Sequence, residues 1–161
     1  MDSTMLKGSF KKGQSMPTGE HHYNMDSKGR LVIPPSFRDF LHHGLMATRG
    51  LEGCLYLFPQ DTWEKLEGHL TQLPFTDPTA RAFVRFFYSS ATPCAPDSQH
   101  RLSIPQPLRQ FAHLETEVVV AGAPNRLELW NPQRWNQVLS EVQTGKYTSS
   151  TPPELLENFI T

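Results

Sequence analysis

The chain has 161 residues, with Lys+Arg 15 against Asp+Glu 16 and a net charge of −1, the length of one ordinary domain or two very small ones. Apolar residues make up 37% and charged residues 19%, which is enough for a core and too little charge for a disordered chain. No apolar run reaches the ~18–20 residues that span a bilayer, no signal segment opens the chain, and two cysteines, Cys54 and Cys94, make neither a disulfide framework nor a cysteine zinc site, so a protein of the reducing cytoplasm is expected.

In chain order, His21–Met25 reads as an extended stretch that leads into Asp26-Ser27-Lys28-Gly29-Arg30. This is a turn: Asp and Ser side chains can accept backbone amides, and Gly29 can take a positive φ. Leu31-Val32-Ile33 alternates as a strand does, and Pro34 ends the ladder. Pro35–Leu41 reads as a helix with proline in its first turn, Phe37, Phe40 and Leu41 on one face and Gly44 as its stop. Strands are expected over Leu45–Arg49 and Cys54–Phe58, joined by the turn-rich Gly50–Gly53. A helix follows, with Asp61 and Glu64 placed like a capping box and Trp63, Leu66, Leu70 and Leu73 as its stripe. Asp77-Pro78 starts another helix, whose apolar side carries Phe83, Phe86 and Phe87.

The chain then repeats itself. Residues 26–40, DSKGRLVIPPSFRDF, lie over 97–111, DSQHRLSIPQPLRQF, at an offset of 71, with eight identities in fifteen positions, among them Asp26/Asp97, Ser27/Ser98, Arg30/Arg101 and Arg38/Arg109. With one inserted residue, LYLFPQDTW (55–63) lies over LELWNPQRW (127–135) at an offset of 72. The second copy thus repeats the elements of the first: an extended Thr92–Pro96, a strand at Leu102–Ile104, a helix with Leu108, Phe111 and Ala112 on one face, strands Glu117–Ala121 and Arg126–Trp130, and a closing helix. In that closing helix Asn131 caps and Trp135, Val138, Leu139 and Val142 face inward. The fold class is α+β, mainly β with packed helices. A module of about 45 residues buries too little surface to stand alone; pairing of the two copies about a pseudo-two-fold, and oligomer formation through exposed edges, are expected. Aromatic residues such as Phe86, Phe87, Trp130 and Trp135 are assigned to core or subunit contacts.

The charge is uneven. Residues 1–50 hold seven basic and four acidic side chains, 51–110 five and six, and 111–161 three and six, so a basic surface can exist on a chain of net charge −1. An Asp four residues before an Arg across a tight turn can brace that Arg by a charge-assisted hydrogen bond, and a guanidinium so held suits phosphate oxygens and guanine edges. The other reading, an Asp–Arg pair that only locks the turn, stays open on the residues alone. Cys94, Asp97 and His100 lie on one strand-turn, and their counterparts by position in the first copy are Tyr23, Asp26 and Gly29, too little for an enzyme. His21-His22 and His42-His43 lack a completing ligand at metal spacing. Neither catalysis, a metal, a cofactor nor a small-molecule substrate is implied.

On DSKGRLVIP, TRGLEGCLYLFP (48–59), ARAFVRFFYS (80–89), DSQHRLSIPQPLR and VVVAGAPNRLELW (118–130), the chain resembles the MraZ family of bacterial transcriptional regulators, built from two SpoVT/AbrB-type swapped-hairpin domains. The family's DxxxR motif falls on Asp26 and Arg30, and again on Asp97 and Arg101. The resemblance implies a pseudo-two-fold barrel of tandem swapped-hairpin domains, a ring of about eight to twelve subunits, and a nucleoid-associated cytoplasmic location. It also implies binding of double-stranded DNA at short promoter direct repeats, as a repressor of the division and cell-wall gene cluster. Arg30, Lys28 and Arg101 are expected to contact DNA, with Asp26, Asp97, Ser27, Ser98 and Gly29 supporting the motif; a protein–protein assembly module without DNA affinity is the second reading. The expected organisation is an extension at 1–15 (Lys7, Lys11 and Lys12), domains at 19–62 and 91–134, connecting helices at 63–90, and a helix and tail at 135–161 in which Leu155, Leu156, Phe159 and Ile160 could dock on a neighbour. Gln99-His100 replaces Lys28-Gly29 in the second copy, which makes the first hairpin the stronger candidate for DNA contact.

Overall fold

The computed structural model describes residues 16–146; the extension 1–15 and the tail from 147 lie outside the described residues. Among the described residues eight strands form: β1 Glu20–Asn24, β2 Arg30–Val32, β3 Leu45–Arg49, β4 Leu55–Pro59, β5 Thr92–Cys94, β6 Arg101–Ser103, β7 Glu117–Ala123 and β8 Arg126–Trp130. Four α-helices accompany them: α1 Gln60–Thr71, α2 Pro78–Tyr88, α3 Gln106–Phe111 and α4 Pro132–Gln143. The chain divides into two compact units between Asn131 and Pro132. The first holds every strand; of the second, α4 is described by itself.

The duplication is written into the strand register. Six strands form one antiparallel sheet in the order β1-β7-β8-β4-β3-β5, and β2 and β6 form a separate ribbon. In the ribbon Leu31 faces Leu102, and at the centre of the sheet Tyr56 faces Glu128. Each residue there meets its own counterpart, as 102 − 31 = 71 and 128 − 56 = 72, so a pseudo-two-fold runs through both pairs. The outer strands are exchanged: β1 of the first copy pairs with β7 of the second, and β5 of the second pairs with β3 of the first. Neither copy completes its own sheet, in keeping with a module of too few residues to bury a core by itself.

The same register corrects the placing of the inserted residue. Tyr23 pairs Val118 and Cys94 pairs Leu45, so Leu45 and Val118 are counterparts at an offset of 73. Copy two gains two residues before this strand and loses one in the turn after it. The loss follows from β7, which runs to Ala123 rather than Ala121, with Gly122 opposite Leu127 and Ala123 opposite Arg126. Only Pro124-Asn125 is left as the turn, and Asn125 takes φ 62, the positive φ that a type II turn with proline at its second position needs at its third.

The core lies where the ribbon and the sheet's inner face meet. Leu31, Leu102, Leu45, Leu55, Leu57, Val118, Val120, Leu127 and Leu129 are fully buried there, and Phe37, Leu41 and Leu108 close it. At roughly 1.5–3 kcal/mol for each large apolar side chain withdrawn from water, this cluster is the main source of stability. The other face of β3 and β4 is covered by α1 and α2 through Tyr56, stacked with Phe87 at 6.5 Å, and Phe58 beside Trp63 at 6.1 Å. Trp130 is buried, while Phe86 and Phe87 are half-buried.

Several local expectations are corrected. The helix expected over Pro35–Leu41 is a 3-10 turn at Pro35–Phe37 followed by further turns, because its amides bond three residues back: Phe37 to Pro34 at 2.9 Å, Leu41 to Arg38 at 3.2 Å. Only copy two forms an α-helix here, with Arg109 bonded four back to Pro105 at 3.0 Å. The strand expected at Cys54–Phe58 begins one residue later. Helix α1 starts at Gln60, so Asp61 is not its cap; the Asp61 carboxylate accepts the Thr62 amide instead, at 2.9 Å. Asp77 does cap α2, accepting from the Thr79 amide at 3.2 Å. Leu73 lies beyond the end of α1 and is exposed, and Leu139 and Val142 on α4 are exposed rather than inward, since a stripe at helical spacing marks an apolar face and not a covered one.

Candidate nucleic-acid interface

Both DxxxR segments fold into the same clasp. In the first, one oxygen of Asp26 accepts the amides of Lys28 and Arg30, both at 2.9 Å, and the other accepts Arg30 Nε at 2.7 Å. In the second, Asp97 accepts the amides of Gln99 at 2.8 Å and Arg101 at 2.9 Å, and Arg101 Nε at 2.9 Å. The spacing dictates this. The chain reverses over five residues, with the Asp26 amide bonded to the Arg30 carbonyl at 2.9 Å, so the first side chain sits over the amides of the third and fifth. The Arg30 amide, with support from its guanidinium and the Lys28 amide, holds the Asp26 carboxyl below its ordinary 3.8; the Arg101 and Gln99 amides, with the Arg101 guanidinium, do so for Asp97.

Each arginine spends Nε on its aspartate. Among the described residues, neither Arg30 nor Arg101 has a hydrogen-bond partner for its two terminal nitrogens. Both side chains are 28% exposed. The guanidinium is therefore oriented by one edge and free at the other, the geometry that two-pronged recognition of phosphate or of guanine O6/N7 needs. Lys28 is exposed beside Arg30. Ser27 and Ser98 are exposed, and among the described residues their hydroxyls hold no hydrogen bond, which corrects the expected part of serine in the turn: the aspartate carboxylate takes the third and fifth amides and its backbone carbonyl the fourth.

The β2–β6 ribbon sets the two tips against each other. The Ile33 amide donates to the His100 carbonyl at 2.8 Å, and the Ile104 amide to the Gly29 carbonyl at 3.0 Å. Gly29 and His100 thus occupy equivalent places, with φ 75 and φ 60. Glycine adopts this state without cost, whereas histidine is among the few side chains that tolerate it. An arginine to which no site role was given also reaches the first tip. A Cβ on Gly29 would lie 2.5 Å from Arg109 Cζ, so copy two lays a guanidinium flat on the turn of copy one. Its counterpart Arg38 instead donates Nε to the Ile33 carbonyl at 3.2 Å. The signal in the sequence was the identity of Arg38 and Arg109 across the copies.

The other candidate chemistries find little support. Burial pushes the Cys94 and Cys54 thiols up, away from the thiolate a nucleophile needs. Asp97, the carboxylate nearest Cys94 in sequence, is committed to Arg101. Among the described residues no three His, Cys, Asp or Glu side chains are grouped to hold a metal ion, and no helix is long and apolar enough to cross a membrane.

Comparison with known proteins gives a consistent result. A family model described as "MraZ protein, putative antitoxin-like" matches residues 16–86 and again 87–153. A protein of Deinococcus radiodurans named transcriptional regulator MraZ is 54% identical over 145 residues, covering 90% of this chain and 99% of that protein. A Thermus thermophilus protein of the same name is 57% identical over 147 residues with the same coverage, and one from Halothermothrix orenii is 51% identical over 125 residues, 78% of this chain and 87% of its own.

Proposed function

The chain belongs to the MraZ family, and from that premise we propose that it is a DNA-binding transcriptional regulator that reads short promoter repeats through Arg30, Lys28 and Arg101. The observation that carries the reading is the pair of clasps: two arginines, each fixed by an aspartate at Nε and unpartnered at its outer edge. Relatives across three genera carry the name transcriptional regulator, which supports DNA as the partner. The finer account is a repressor of the division and cell-wall gene cluster, in the cytoplasm and on the nucleoid, acting as a ring. The exchange of β1 and β5 supports swapped-hairpin domains that close as a barrel.

One subunit offers two clasped arginines and one tip lysine, too few for useful affinity at physiological salt. Copies linked in a ring raise avidity without new contacts, provided that the operator repeats match their spacing. An assembly that engages about 6–10 phosphates loses ~10³–10⁵ in affinity between 50 and 200 mM salt, and each mismatched base pair costs ~1–3 kcal/mol. Selection of bound fragments from random genomic DNA, followed by footprinting, tests this. Recovery of fragments with regularly spaced protected repeats is expected; retention of all fragments alike, or of none, would remove sequence-specific DNA binding and favour an assembly module.

A further inference from the structure

Arg109 is the one guanidinium in the hairpin region whose placement the fold does not explain. Its Nε is buried without a hydrogen-bond partner, and the residue takes part in no ion pair among the described residues. The buried Nε is out of reach of any ligand and costly to leave unpaired; the two terminal nitrogens, which are not buried and have no hydrogen-bond partner among the described residues, are the atoms left to meet one. Its guanidinium rests on Gly29, the residue between Lys28 and Arg30. Three cationic side chains from two copies of the module are thereby brought to one turn.

The pseudo-symmetric place is built differently. His100 stands where Gly29 stands, so a guanidinium could not lie flat on that turn, and Arg38 is turned back to the Ile33 carbonyl. A cavity of about 240 Å³ is left there, lined in part by Arg38, Asp97 and His100. Two acids, Asp39 and Asp97, also line it, which lowers its appeal to an anion.

We infer that Arg109 binds a DNA backbone phosphate at the first tip, as a cation that copy two donates to copy one, and that Arg38 does not do this at the second. The inference rests on the DNA-binding reading above. It makes the first tip the tighter electrostatic grip and gives each subunit a polarity on the duplex. Gly29 is then required for the space it leaves as well as for its φ.

The test is the salt dependence of binding to a footprinted promoter fragment by the full chain, with thermal unfolding as a control on folding. Arg109→Gln keeps a planar hydrogen-bonding group, two atoms shorter, and removes the charge. Each phosphate contact removed should shrink the loss of affinity between 50 and 200 mM salt by about 3.5-fold, from a slope near 0.9 per contact. Arg109→Lys should restore the slope, and Arg38→Gln should leave it as in the wild type. A merely structural Arg109 would change the melting temperature without flattening the slope. The inference is overturned if Arg109→Gln keeps the wild-type slope, or if Arg38→Gln flattens it equally. If the wild-type chain itself shows no salt-sensitive binding, the functional reading fails first and takes this one with it.

Discussion

At the first hairpin tip Asp26 gathers two amides and one guanidinium edge, the fourth residue of the turn is Gly29, and Arg109 lies over it. At the second, Asp97 gathers the same three donors, the fourth residue is His100 with φ 60, and Arg38 is turned away. The clasp depends on the aspartate and on the five-residue reversal, since it survives the change from Gly to His. What the glycine adds is room above the turn. Both arginines stand in both copies, but only the clasped one keeps the same contacts in each.

The largest effect is expected where the tips share support. Leu31 and Leu102 face each other, fully buried, and either one changed to Ala should cost about 2–5 kcal/mol. Chemical denaturation should find the two costs alike, and a wide gap between them would break the pseudo-symmetry on which the comparison stands. Next comes the clasp. Asp26→Asn should weaken promoter binding more than Asp97→Asn, by several-fold in a titration at fixed salt, because the first tip carries Lys28 as well. Equal losses would argue that both tips grip alike.

A smaller effect concerns the turn itself. His100→Gly relieves a left-handed residue and should stabilise the chain by roughly 1 kcal/mol, while Gly29→Ala should destabilise it by a similar amount and displace Arg109. On a domain of this size, ~1 kcal/mol moves the melting temperature by about 2–4 °C, within reach of calorimetry. The smallest effect is in pH. Both clasp carboxyls lie below the ordinary 3.8 in the folded chain, so the stability they add is present above that value and fades as pH falls through the folded pKa. Acid titration of Asp26→Asn should show a shallower loss than the wild type below about pH 4, and matching curves would show that the clasp adds nothing.

Much of this was legible in the sequence. The eight identities between the copies marked the clasp, and the alternation of Leu31 and Ile33 marked the strand after it. The exchange of β1 and β5 was not legible in the residues, because strand pairing between distant segments leaves no local trace. Arg38 and Arg109 were visible as an identical pair, but their difference was not: it arises from the neighbour across the pseudo-two-fold, Gly29 in one case and His100 in the other. The Pro35–Leu41 helix was misread for a similar reason, since an apolar face at helical spacing serves a chain of turns equally well when Phe37 and Leu41 need only reach the core.

The central claim is that the outer edge of the clasped Arg30 grips DNA. Gel-shift titration of a promoter fragment with the wild-type chain and with Arg30→Ala, each checked by native mass spectrometry for its assembly, tests it most directly. The account predicts that Arg30→Ala keeps the same assembly and loses the shift; the same assembly with an undiminished shift would contradict it.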